Sequence, residues 1–181
     1  MFKKLNITFD KPEYNYGTLI SEYGYALYEG QKKFKIGYHF CNDYKEMYNV
    51  IPEQYRKYFN LEIMDIYGSV TPHIDNSIKA TINFYLQTGN AETIFYDLID
   101  ENGSLQIKNN GNGYVFTLNS LKKVSSFIAN DNDVYILDTS KPHSVNFPKT
   151  NPNGYRTAII LQTKKFTYEQ VLDMLKETNS I

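Results

Sequence analysis

From Glu62 onward, short runs rich in Ile, Val, Phe, Tyr and Thr are broken by Gly, Pro, Asn and Asp. The pattern predicts strands over Glu62–Tyr67, Ile78–Leu86, Thr93–Leu98, Gly113–Leu118, Ser125–Ile128, Val134–Leu137, Ser144–Phe147 and Arg156–Gln162. Short strands in such quick succession predict a sandwich or barrel. The first half opens with strand-like pieces at Leu5–Phe9 and Lys33–Phe40, punctuated by Gly17, Gly24 and Gly30. A helical passage follows, with Asn42 or Asp43 as its cap. Tyr44, Met47 and Tyr48 fall at helical spacing before Pro52 forces a break, and Tyr55, Tyr58 and Phe59 then repeat it. Near the end, Thr167 with Gln170 three positions on forms a capping-box pattern, and Tyr168, Val171, Leu172 and Leu175 make the apolar stripe of a closing helix. The expectation is a mainly β, α+β chain whose helices brace a β core.

Composition adds bounds. The 181 residues, 41% hydrophobic and 22% charged, suit one domain over 1–181 with a single core, and no repeat or linker divides them. Seventeen Tyr and eleven Phe without Trp fit a strand-rich chain. A formal net charge of −1 excludes a broad basic face, so electrostatics offers no case for duplex nucleic acid, while an extruded base is left open. The basic start Met1–Asn6 leads into no apolar run, and no stretch reaches membrane-spanning length, so neither a secretory signal nor a membrane partner is expected. Cys41, the sole cysteine, excludes an internal disulfide and points to a reducing cytoplasm.

Two of the three histidines carry candidate chemistry. His73 and Asp75 are one residue apart, which in an extended segment puts both side chains on one face. His143 follows Asp75 by 68 residues and directly precedes a predicted strand, so a folded sheet can bring it beside the pair. Two imidazoles and a carboxylate on one face of an ion leave the opposite positions open, an arrangement suited to non-haem Fe(II) and oxygen. Taken singly, each is an ordinary residue: a His-x-Asp pair arises by chance, His39 reads as surface or hydrogen-bonded, and Arg156 as a strand-end surface group.

The segment Tyr67-Gly68-Ser69-Val70-Thr71-Pro72-His73-Ile74-Asp75-Asn76 resembles the start of the metal motif in the 2-oxoglutarate/Fe(II) dioxygenase superfamily, close to its prolyl-hydroxylase-like and phage-encoded branches. Thr81-Ile82-Asn83-Phe84-Tyr85-Leu86 is similar to the strand after that motif. Gly89 to Phe95 resembles the stretch ending Glu-Thr-x-Phe, and Asp133 to Val145 the strand-turn that delivers the second histidine. Arg156, 13 residues after His143, stands where the family has its cosubstrate-binding base. The resemblance covers about residues 62–162. It implies a double-stranded β-helix, or jelly roll, with supporting helices, in the cytoplasm of a bacterial or phage-infected cell. His73, Asp75 and His143 would hold Fe(II). Two-oxoglutarate would chelate the iron and meet Arg156 through its distal carboxylate, a role that suits a planar donor fork. With O2, the implied reaction hydroxylates a C–H bond and releases succinate and CO2.

Two departures stand out. Relatives place a hydroxyl residue two positions after the arginine, where this chain has Ala158, so another donor is needed; Tyr67 and Tyr85 are candidates, and Asn83 for the chelating end. Thr81, Asn83 and Tyr85 share a strand face, which is the barrel lumen if Ile82, Phe84 and Leu86 pack outward against helices. Relatives also often show paired glycines near Gly89, read here as loop variation. The rival readings are a cupin-like, non-oxidative metalloenzyme and a metal-free jelly-roll binding module. The substrate is left open between a peptidyl side chain such as proline and a small molecule.

Overall fold

The structure is a computed structural model that describes residues 1–10, 17–28, 31–41, 43–75, 77–99, 107–108 and 113–181. Its strands are β1 (Phe2–Lys4), β2 (Leu19–Tyr28), β3 (Gln31–Phe40), β4 (Asn60–Tyr67), β5 (Val70–Asp75), β6 (Ala80–Gln87), β7 (Glu92–Leu98), β8 (Ile107–Lys108), β9 (Gly113–Val115), β10 (Leu121–Ile128), β11 (Val134–Leu137), β12 (His143–Asn146) and β13 (Tyr155–Thr163), followed by helix α1 (Tyr168–Glu177). They form two antiparallel sheets, a seven-stranded one in the order β1-β11-β6-β13-β4-β3-β2 and a six-stranded one in the order β10-β7-β12-β5-β9-β8.

The pairing is nested. β4 pairs with β13, β5 with β12, β6 with β11 and β7 with β10, as in one long hairpin, while its strands pass alternately between the two sheets. A hairpin coiled in this way is a double-stranded β-helix, the jelly roll. Its consequence for function is that residues far apart in sequence become cross-strand neighbours.

β6 is buried along nearly its whole length, so it must satisfy both faces. Ile82, Phe84 and Leu86 face outward into an apolar layer with Ile63, Ile159, Leu161 and the α1 residues Val171, Met174 and Leu175. Thr81, Asn83 and Tyr85 face the lumen, as the alternation predicts. Thr167 accepts from the Gln170 N–H while the Gln170 side chain accepts from the Thr167 N–H, the capping box expected from the sequence.

Elsewhere local patterns were overruled. Leu5–Phe9 is not a strand: pairing ends at Lys4, and Leu5 instead inserts its side chain into the outer layer while its N–H bonds Val134. The passage before β4 forms two short 3-10 helices, Lys45–Val50 and Glu53–Tyr58, because Pro52 leaves each piece too short for a stable α-helix. The first has Tyr44 at its N-cap with no side-chain capping bond, so Asp43 does not cap it; Asn42 lies outside the described residues, as does Gly30. Gly24 sits inside β2 at φ +60°, and β9 stops at Val115, short of Leu118. Among the described residues no helix is long and apolar enough to cross a membrane.

Candidate metal centre

β5 and β12 are adjacent strands, and in their register His143 lies opposite His73. The register shifts just beyond this pair: the two steps from His143 to Val145 along β12 match three from His73 to Val70 along β5, so the extra residue of the bulge lies on β5 beside His73, the kind of irregularity that re-aims a side chain. The alternation of β5 turns His73 and Asp75 inward while Ile74 packs on the far side with Ile94, Tyr96 and Phe116. His73, Asp75 and His143 thus converge, with candidate ligand atoms all within 4.8 Å of one another. His73 Nε2 is 3.5 Å and His143 Nε2 4.0 Å from the Asp75 carboxylate, and the imidazole centroids are 4.4 Å apart.

Each histidine is oriented in the same way. His73 Nδ1 lies 2.9 Å from the Thr71 carbonyl and His143 Nδ1 2.9 Å from the Lys141 carbonyl, each two residues back along the chain. A carbonyl can only accept, so Nδ1 carries a proton in both rings and Nε2 is the atom each turns to the common point. Burial, together with the neighbouring His73 charge, pushes the His143 pKa down to about 4, which keeps that ring neutral. Burial also weakens the His73 cation and the Asp75 anion. Their mutual hydrogen bond and attraction outweigh it, raising the histidine and lowering the carboxyl. A neutral imidazole, an ionised carboxylate and a second imidazole whose proton a dication can displace suit a divalent metal.

The triad opens on an inner cavity also lined by Thr81, Asn83, Tyr85, Thr93 and Arg156. Arg156, at the start of β13, is 1% exposed. Its Nη1 donates to Thr93 Oγ1 at 2.9 Å, its Nη2 to the Ala91 carbonyl, and its guanidinium stands 5.0 Å from the centre of the Tyr85 ring. Nε has no partner, and among the described residues no carboxylate lies within ion-pair distance of the guanidinium. Burial weakens this cation, and only the nearby Tyr85 works against it. Asn83 Oδ1 and Thr81 Oγ1 are likewise buried without partners, while Asn83 Nδ2 donates to the Tyr85 hydroxyl. A buried cation with no anion, beside orphaned polar atoms, is costly unless a polar anionic ligand completes it.

Of the residues singled out in the sequence, His73, Asp75, His143, Arg156, Asn83 and Tyr85 meet around this cavity. Tyr67 does not: it extends from the outer face of β4, where its ring stacks on Tyr155 at 4.8 Å. Ala158 is fully buried among lumen side chains. The hydroxyl beside Arg156 belongs instead to Thr93 of the Glu-Thr-x-Phe stretch, a position that nothing local in the sequence marks, because the pairing of β7 with β12 carries it across the barrel. The third histidine, His39, faces Asp65 at 3.4 Å, away from the triad, and Tyr155 also donates to Asp65.

No protein-family model matches the chain, and no curated protein sequence does. Among solved structures it is similar to vicilin from Corylus avellana (hazelnut), at 11% identity over 71% of this chain with a TM-score of 0.39. Vicilin from Solanum melongena gives 14% identity over 71% of this chain, again with a TM-score of 0.39. The polyketide cyclase RemF from Streptomyces resistomycificus gives 11% identity over 87% of this chain and 78% of its own, with a TM-score of 0.36. The chain spans 28% of the length of either vicilin. Its own strand order makes it a jelly roll, and its own side chains form a candidate metal centre.

Proposed function

We propose that the chain is a non-haem Fe(II)- and 2-oxoglutarate-dependent dioxygenase that hydroxylates a C–H bond and releases succinate and CO2. The observation that carries this reading is Arg156, a buried cation with no counter-anion among the described residues, in the same cavity as a two-histidine, one-carboxylate set. Two-oxoglutarate supplies what both features lack: a chelating 2-oxo acid at one end and a carboxylate at the other. Iron bound at the triad would supply the activation of O2.

The residues divide the remaining work. His73, Asp75 and His143 hold the metal on one face. Arg156 receives the distal carboxylate through its fork, assisted by Thr93, whose oxygen accepts from Arg156 and whose own proton is free to turn toward the ligand. Asn83 offers its polar end toward the chelating group, and Tyr85 flanks the guanidinium. Phe95 and Leu137, buried around the lumen, keep water from the cosubstrate.

The test is anaerobic titration with Fe(II) and 2-oxoglutarate, followed through the visible charge-transfer band of the chelate, then admission of O2 and measurement of succinate. A band that requires both components, and succinate formed only with O2, are expected. Metal binding without any 2-oxoglutarate-dependent band would overturn the cosubstrate assignment and favour a non-oxidative metalloenzyme.

A further inference from the structure

Outside the triad lies a second, larger cleft of about 320 Å³, lined by the β2–β3 hairpin, β4, β5, β9 and the end of β13. It shares His73, Asp75, Ile36 and Val70 with the inner cavity, so the two spaces meet at the metal ligands. Its size is at the lower end of small-ligand sites, roughly 300–1,000 Å³, and fits an amino-acid-sized group.

Glu62 sits half-buried in this cleft, facing the lumen from β4. Gln162, from the neighbouring β13, donates to its Oε2 at 2.8 Å and fixes the carboxylate against the wall. Among the described residues no cation stands within ion-pair distance of it. Two lysines also line the cleft: Lys164 is exposed and only partly offsets the burial that raises the Glu62 pKa, and the Lys35 stem lies against Gly24. Surface carboxylates elsewhere do have close partners, Asp133 with Lys4 at 2.6 Å and Glu92 with Lys123 at 2.7 Å. The Tyr38 hydroxyl lies within the influence of both Asp75 and Glu62, linking the metal end of the cleft to the carboxylate end. Tyr23 meets the Tyr38 ring edge-on at 6.0 Å, so aromatic surface stands beside the unpaired anion.

We propose that this cleft takes a substrate whose alkyl chain ends in an ammonium or guanidinium group, that Glu62 pairs with that cation beside Tyr23 and Tyr38, and that the carbon to be oxidised lies toward His73 and Asp75. The assignment of the reacting end rests on the dioxygenase reading; the recognition of the cation does not. A carboxylate held in place but unpaired, next to aromatic rings, is what a cationic head needs: charge-assisted hydrogen bonds on one side and ring faces on the other. The two cavities are complementary: among the described residues, the inner one holds a cation with no anion within ion-pair distance and the outer one an anion with no cation within that distance.

The experiment is calorimetric titration of the whole chain, loaded with redox-silent Mn(II) and 2-oxoglutarate, with L-arginine and L-lysine against their neutral analogues citrulline and norleucine. The same four side chains are also tested within end-capped peptides. Cation-selective binding is expected, with Glu62→Gln weakening the cationic ligands about tenfold or more while the neutral ones stay unchanged. Preference for the free compounds identifies a small-molecule substrate, and preference for the peptides a protein side chain. The proposal is overturned if the neutral analogues bind as well as the cationic ones, if nothing binds at millimolar concentration, or if Glu62→Gln leaves the affinities unchanged. The wild-type comparison across ligands needs no variant to fold. Repeating it without Mn(II) and 2-oxoglutarate separates failure of this pocket from failure of the dioxygenase reading.

Discussion

Replacing Arg156 with Met separates what this residue costs the fold from what it gives the ligand. Arg156 is 1% exposed, its guanidinium bonded to Thr93 and Ala91, with an unpaired Nε and no carboxylate partner among the described residues. Removing it leaves two acceptors short of a donor, at about 1–3 kcal/mol each. It also relieves the burial of an uncompensated cation, a penalty of several kcal/mol. The terms oppose and are of similar size, so the ligand-free variant is expected to melt within about 4 °C of wild type at roughly 2–4 °C per kcal/mol for a chain of this length. Ligand binding has no such compensation. Loss of a buried charge-assisted pair costs about 2–4 kcal/mol, or roughly 30- to 1,000-fold in affinity. With 2-oxoglutarate at about 100 times its wild-type Kd, the wild type gains about 2.7 kcal/mol, or roughly 5–11 °C. At that concentration Arg156→Met gains less than about 1 kcal/mol, and its shift falls below about 4 °C. Arg156→Lys recovers part of the difference, since a point charge cannot make the bidentate contact. Thermal melts in Mn(II), with and without 2-oxoglutarate, measure both quantities. A full 2-oxoglutarate shift in Arg156→Met would refute the carboxylate assignment, and a ligand-free melting point far below wild type would refute the claim that the cation is uncompensated.

Alanine at His73, Asp75 or His143 is expected to abolish Fe(II) binding under argon while the chain stays folded; unchanged affinity in all three would remove the metal from these residues. The metal-free protein is expected to lose stability on acidification from pH 6.5 toward 4. Over that range the unfolded chain takes up a proton that folded His143, with its pKa pushed down from 6.5 to about 4, refuses. The limit is roughly 3 kcal/mol, fully absent above the unfolded value. His73 opposes it, because its raised pKa contributes stability below 6.5 that is lost as pH rises through the folded value. Asp75, lowered from 3.8, contributes stability above that value that is lost as pH falls through its folded pKa. Urea midpoints at pH 7 and 5 should show a smaller drop in His143→Gln, and an unchanged drop would sink the assignment. Gly89→Ala should cost more than about 1 kcal/mol in chemical denaturation, because Gly89 sits at φ +57° and a Cβ there would come within 2.8 Å of the Phe147 ring. Thr167→Ala should lose about 1 kcal/mol with the cap of α1, read in the same assay.

Sequence alone determined the features that depend on spacing over a few residues. His73 and Asp75 share a face because β5 alternates with period two, Thr167 and Gln170 close a capping box because they are three apart, and Val134–Leu137 is a strand with the bounds its apolar run suggests. The division of β6 into a polar lumen face and an apolar outer face was legible for the same reason. Tertiary structure decided which of these faces meet. Thr93 and not Tyr67 stands beside Arg156, because partners across the barrel are set by the pairing of β7, β12 and β5, strands separated by long stretches of chain. Leu5 left the strand pattern to fill the outer core, where burial outweighed local preference, and the helical stripe around Pro52 shortened to 3-10 turns because the proline leaves each piece too short for a stable α-helix. That Arg156 and Glu62 have no counter-ion within ion-pair distance among the described residues could be seen only in three dimensions: a sequence shows where charges are, whereas whether each is buried and paired depends on every strand that closes around it.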